Sequence, residues 1–159
     1  MERNKFSGNL SLYGLGGLLQ SLCQSIRKKR EYTGEGPLNE EQQELCSRVE
    51  ELVSDIIQKY SYPEQPDVKA QALLALMDAY EILGKEDILK FALAQAEALL
   101  SVLPSSPLKC KLLSYCYYYV EEAECAKEAS RIIAGWDKSC YTPEMTEAVE
   151  CYFSLVDFA

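Results

Sequence analysis

The most reactive-looking local arrangement in the chain is Lys109-Cys110-Lys111. A thiol attacks as its thiolate, and flanking ammonium groups favour that form. Those lysines would have to supply all the activation, because none of the 159 residues is histidine. That absence removes the usual base near neutral pH, the commonest metal ligand and every Ser-His or Cys-His pair. The seven cysteines, Cys23, Cys46, Cys110, Cys116, Cys125, Cys140 and Cys151, are odd in number, and none is spaced C-x-x-C. Neither a zinc site nor a disulfide framework follows from them. Most lie in apolar stretches, as Cys116 does between Tyr115 and Tyr117, where cysteine serves as a small hydrophobe. Gly14-x-Gly16-Gly17 has part of a dinucleotide loop but lacks a preceding strand, and Leu19 stands where a third glycine belongs. Glycines so placed permit close helix packing or lower helix propensity near a start. Glu40, Glu41, Glu44, Glu50 and Glu51 could form a di-metal site in a bundle only with Glu-x-x-His pairs, so they read as a solvated helix face. No catalytic residue, cofactor or metal is expected, and the chain reads as something other than an enzyme.

The elements carrying these residues are helical. Apolar residues recur at helical spacing nearly throughout, and no window alternates at period two for long enough to form a half-buried strand. The expectation is one all-α domain over residues 1–159, with about seven helices in antiparallel hairpins and residues 1–37 as an N-terminal helix and loop. Leu12, Leu15, Leu19, Leu22, Cys23 and Ile26 share a face of the first helix, which closes on Arg27-Lys28-Lys29-Arg30. Gly34, Gly36 and Pro37 mark a loop over 31–38. Asn39 caps a second helix with Gln42 at its third position and a stripe of Leu45, Val49, Leu52, Val53, Ile56 and Tyr60. Pro63 and Pro66 impose a loop, and Asp67 is the natural cap of a third helix that stops at Gly84. A fourth, about 86–102, follows so closely that the two fold back as a hairpin. Ser106-Pro107 starts a fifth helix that reaches about residue 120. Glu121-Glu122 turns into a sixth carrying Ala126, Ala129, Ile132, Ile133 and Trp136, and Thr142-Pro143 starts the last. Ala79-Tyr80, Gly84 and Ala96 resemble part of a tetratricopeptide unit, so a tetratricopeptide-like bundle is expected. The pattern occurs once, too few times for a solenoid.

Eleven tyrosines are present, and Tyr115, Tyr117, Tyr118 and Tyr119 crowd the fifth helix. At 100° per residue, Leu108, Leu112, Cys116, Tyr119 and Val120 fall on its core side, with Lys111, Ser114 and Tyr118 opposite. Tyrosine offers large contact area at low entropic cost, so Tyr118, Tyr115 and Lys111 form a candidate partner-binding patch. The alternative is a ring covering a loop or neighbouring helix.

Acidic residues number 25 against 16 basic, a net charge of −9. Residues 1–30 hold six basic residues against Glu2, net +5, which leaves −14 for the remainder. Such a body repels nucleic acid and anionic membranes, and suits a basic protein partner or simply keeps the chain soluble. Arg27 to Arg30 stand out against it as a second candidate surface. The run Leu12 to Leu22 before Cys23 is broken by Gly14, Gly16 and Gly17 and lacks a cleavage site, and no stretch is long enough to span a bilayer. A cytoplasmic protein is expected.

Leu103-Pro104, Ser106, Leu108-Lys109-Cys110, Leu112-Leu113, Tyr115-Cys116-Tyr117, Val120, Ala126, Glu128-Ala129, Ile132-Ile133 and Trp136, followed by Thr142-Pro143-Glu144, resemble the UpxZ family. Its members are small bacterial proteins, encoded in capsular-polysaccharide operons, that antagonise transcription antitermination. The resemblance covers residues 70–150. It implies a regulatory protein that binds a specialised NusG-like antitermination factor, with no direct contact to nucleic acid or membrane and no small-molecule substrate. A generic tetratricopeptide-like adaptor without a role in transcription is the alternative.

Overall fold

A computed structural model describes the backbone of residues 10–33 and 39–156, and the side chains of residues 10–30 and 39–156. The described residues hold seven α-helices and one short 3-10 turn joined by short loops, with no strand among them. We number them α1 Leu12–Thr33, α2 Glu40–Tyr60, α3 Pro66–Leu83, α4 Glu86–Leu100, α5 Pro107–Val120, α6 Ala123–Ala134 and α7 Pro143–Leu155, the 3-10 turn Lys138–Cys140 lying between the last two. The all-α expectation is met. Backbone packing divides the chain into two compact units, Met1–Ala92 and Leu93–Ala159, the division falling inside α4.

In the first unit α3 is the central helix, with the closest backbone neighbour α1 and with α2 packed on both. Its residues Ala70, Ala72 to Met77 and Ala79 are all buried, and a helix apolar on every side belongs inside a core. The alanines let neighbouring helices approach. On α1, Leu12, Leu15, Leu19, Cys23 and Ile26 are buried, the face that the heptad-like spacing marks. Gly16 meets α3 directly: a Cβ built there would lie 3.6 Å from Ala72 Cα, whereas one at Gly17 would touch nothing within 4 Å. Gly17→Ala is therefore expected to stabilise by about 0.5–1 kcal/mol through helix propensity alone. Gly16→Val, whose branches must enter the α3 backbone, is expected to cost about 1–3 kcal/mol. Urea denaturation of the two variants checks the opposite signs.

Cap chemistry accounts for most boundaries. Asn39 Oδ1 accepts from Gln42 N at 2.8 Å while Gln42 Oε1 accepts from Asn39 N at 3.1 Å, the reciprocal box expected at α2. Gly84, at φ 67°, closes α3 by donating its N–H to Tyr80 O at 2.7 Å. Two boundaries of the first unit differ from expectation. Asp67 does not cap α3: Gln65 holds that position and Pro66 is the first helical residue, its preset φ and missing N–H suiting the first turn. Asp67 instead sits in that turn, accepting from Val68 N at 2.9 Å. The first helix also runs three residues beyond its basic cluster, to Thr33, and the loop glycines and proline expected at 34–37 lie outside the described residues.

In the second unit α5 packs against both α6 and α7. Cys110 and Leu113 of α5, Ala129 and Ile132 of α6 and Ala148 of α7 form its core. Ser106 Oγ caps α5 at Lys109 N (3.1 Å), and Thr142 Oγ1 caps α7 at Met145 N (3.2 Å), each ahead of a first-turn proline as expected. The sixth helix stops at Ala134 instead of reaching Trp136. Gly135 N is shared between Arg131 O and Ile132 O at 3.2 Å each, and Trp136 turns back against the core with its ring edge-on to Tyr141.

Candidate functional site

Helix α5 carries Lys109-Cys110-Lys111 and the tyrosine patch, so its surroundings decide what each of those residues can do. Cys110 is fully buried, with its sulfur 4.0 Å from Ala129 O. Burial pushes the thiol up to about 11, with a smaller opposing effect from Ser114. The two lysines that would have activated it are engaged elsewhere: Lys109 Nζ lies 2.8 Å from Glu128 Oε1, and Lys111 Nζ lies 2.7 Å from Glu147 Oε1. Lys109-Cys110-Lys111 is thus a core thiol between two structural ion pairs. Iodoacetamide at pH 7 is expected to alkylate Cys110 at least about a hundredfold more slowly than a free thiol with an ordinary value near 9, from the scarcity of thiolate alone. Peptide mapping of the alkylated protein reads this, and labelling of Cys110 as fast as of exposed Cys140 would reject it.

The candidate contact residues are distributed differently. Tyr118 exposes 48% of its surface and sits edge-on to Tyr119, ring centroids 5.0 Å apart. Tyr115 is half-buried. Lys111 shows only 16% of its side chain and is a tether to α7. Ser114, expected on the solvent side with them, is buried, its Oγ donating to Cys110 O at 2.8 Å. The physical reason is α7: by packing along α5 at Ala148 and Glu147, it covers the side that helical spacing assigns to water. Tyr118, at the last turn, stays outside that cover.

On the opposite side of α5 lies a feature the sequence reading missed. Val120, assigned to the core face, exposes 45% of its surface. With Cys116 one turn earlier it lines a half-open groove of about 310 Å³, completed by Cys125 and Glu122 at the start of α6. Leu93, Glu97 and Leu100, which share one face of α4, form its far wall. The lining is mostly apolar, and its charged members are two carboxylates, with no cation among the described residues. The sequence signal for it was Val120 directly before Glu121-Glu122, an aliphatic residue where the helix must end. Glu121 closes α5 in the left-handed conformation, φ 58°, so Val120 is carried to the rim of a turn and not into a core.

Other candidates resolve more simply. Glu41 pairs with Lys29 at 2.6 Å and Glu50 with Lys85 at 3.2 Å, both on the surface, and the Lys29 hydrogen bond holds Glu41 below the ordinary carboxylate range. No group of three or more metal-ligating side chains occurs among the described residues. Within the basic cluster of α1, Arg27 approaches Asp78 of α3 at 3.8 Å and Lys29 reaches α2, so part of that charge joins helices. No described helix is long and apolar enough to cross a membrane.

No protein-family model and no curated protein matches the chain. A solved structure does: the transcription anti-terminator antagonist UpxZ from Bacteroides uniformis superposes with a TM-score of 0.70 and 23% sequence identity, over 93% of this chain and 94% of that one. The chain has the UpxZ fold. The likeness extends well beyond residues 70–150, where the sequence resemblance lay, and takes in most of the first unit as well. Most of the glycine-bearing α1 and of α2 therefore falls within the shared architecture, although both precede the residues that carry the sequence resemblance.

Proposed function

We propose that this protein antagonises transcription antitermination by binding a protein, and that its target is a specialised NusG-like factor serving a polysaccharide-biosynthesis operon. The observation carrying this reading is the fold shared with the UpxZ antagonist along nearly the whole of both chains. The charge distribution supports it: residues 31–159 carry −14 and would meet the basic surface of a factor built to work beside nucleic acid. The action proposed is occlusion in the cytoplasm, with the bound factor kept from RNA polymerase or leader RNA. Tyr118 is the proposed anchor of the contact, with the half-buried Tyr115 beside it on α5, whereas Lys111 is held by Glu147 of α7 and contributes through that tether alone.

Calorimetric titration against several specialised NusG-like factors and the general one, at two salt concentrations, tests the reading. Binding at micromolar affinity or tighter to some specialised factors, weakening with salt, is the expected result. Tyr118→Ala is expected to weaken that binding by about tenfold while leaving the melting temperature unchanged, because an exposed ring contributes to contact and little to folding. Absence of heat with every factor would reject the proposal and leave a helical adaptor unconnected with transcription.

A further inference from the structure

We propose that the groove at the α5–α6 turn is the docking site for a basic amphipathic protein segment, whose apolar side chain seats on Cys116, Val120 and Leu100 between Lys or Arg side chains that meet Glu97 and Glu122. This deepens the antagonist reading by stating the chemistry of the bound segment, and it rests on that reading for the existence of a protein partner.

The groove has the size and the polarity for such an occupant. A volume of about 310 Å³ lies at the small end of sites that enclose a whole ligand, roughly 300–1,000 Å³, and suits one or two large side chains projecting from a helix. Its floor is aliphatic and sulfur-lined, adaptable surface that fits more than one apolar shape. Its sign is negative for a reason that survives accounting for the helix ends. The C-terminus of α5 and the N-terminus of α6 meet at Glu121-Glu122, so their opposite end charges offset one another. Glu97 and Glu122 then set the potential. The same sign is felt at Cys125, whose thiol is pushed up first by burial and then by the neighbouring Glu122, Glu128 and Glu124 carboxylates. Nearby cations are not directed into the groove, since Lys127 and Arg131 both approach Glu124, at 3.7 and 3.8 Å. An acidic occupant, including a second copy of this chain at −9, would place like charges together. Glu97 and Glu122 would gain ion pairs with a basic segment, and covering Val120 would remove exposed apolar surface from water.

Fluorescence anisotropy of the full-length protein with a labelled helical peptide, leucines at i and i+4 flanked by lysines, tests the assignment, with a glutamate-flanked peptide as comparison. Val120→Gln, which removes the apolar anchor without changing charge, is expected to weaken binding of the basic peptide at least about fivefold. Glu97→Gln with Glu122→Gln is expected to weaken it about tenfold at low salt and to converge with wild type at high salt. Tyr118→Ala, on the other side of α5, is expected to leave it unchanged. Circular dichroism confirms that each variant is folded. Equal binding of the two peptides, or groove variants that bind like wild type, would overturn the proposal. Titration of the same variants with NusG-like factors separates the two readings. A factor that binds wild type and groove variants alike removes the groove and leaves antagonism standing; no bound factor, together with the stated peptide pattern, removes antagonism and leaves the groove.

Discussion

Replacing Leu113 by alanine is expected to lower the stability of the protein by about 3–4 kcal/mol, toward the upper part of the range for buried leucine truncations. The core of the second unit explains the size of the effect. Of its five buried members, Cys110, Leu113, Ala129, Ile132 and Ala148, only Leu113 and Ile132 are large. The small ones already allow α6 and α7 to lie close on α5, so their backbones have little room to follow a shrinking side chain. A truncation there leaves a cavity that cannot collapse. For a chain of this length, 159 residues, the loss corresponds to a melting temperature lower by about 10 °C. Val102→Ala, at a large but well-exposed side chain, is expected to stay within about 0.5 kcal/mol and serves as the comparison. Denaturant titration of both variants gives the answer, and a loss below about 1 kcal/mol for Leu113→Ala would mean that this core is far looser than its burial indicates.

The same residues show how far the sequence could be read. Where a boundary depends on side chains within one turn of it, as at Asn39, Gly84, Ser106-Pro107 and Thr142-Pro143, local cap chemistry carries the information and the reading holds. Asp67 shows the limit of that logic: two local signals compete, a capping carboxylate and a first-turn proline, and Pro66 prevails because a proline at the first helical position forfeits no hydrogen bond. Stripes also read correctly where a helix has one buried side, as on α1 and α2. They fail on α5, which has neighbours on two sides. Helical spacing defines directions around an axis but does not say which directions are occupied, so it places Ser114 on the water side and Val120 on the core side, each opposite to its observed place, and gives no sign that Lys111 is tied to α7. The groove was invisible for the same reason. It is made by α4, α5 and α6 together, and no segment of the chain contains it.

A second large effect is expected at the pair Lys109–Glu128, and its asymmetry is the informative part. The Lys109 side chain is 11% exposed and that of Glu128 38%, with Nζ and Oε1 2.8 Å apart. Glu128→Ala leaves an ammonium group mostly surrounded by protein and without its carboxylate. Breaking a fully buried pair in this way costs about 3–5 kcal/mol, and the partial exposure of Glu128 reduces the expectation to about 2 kcal/mol. Lys109→Met removes the charge from the enclosed end and keeps the length of the stem, while the abandoned carboxylate can turn to water; a change within about 1 kcal/mol of wild type is expected. The double variant should resemble Lys109→Met, since nothing charged then remains enclosed. If this pair instead stabilised the protein by simple attraction, both single variants would lose similar amounts, and denaturation curves of the four proteins distinguish the two accounts. The outcome also bears on Cys110: a lysine held to Glu128 by the cost of leaving it unpaired is unavailable to activate a neighbouring thiol, so Glu128→Ala is the variant in which faster Cys110 alkylation would appear, if Lys109 can activate that thiol at all.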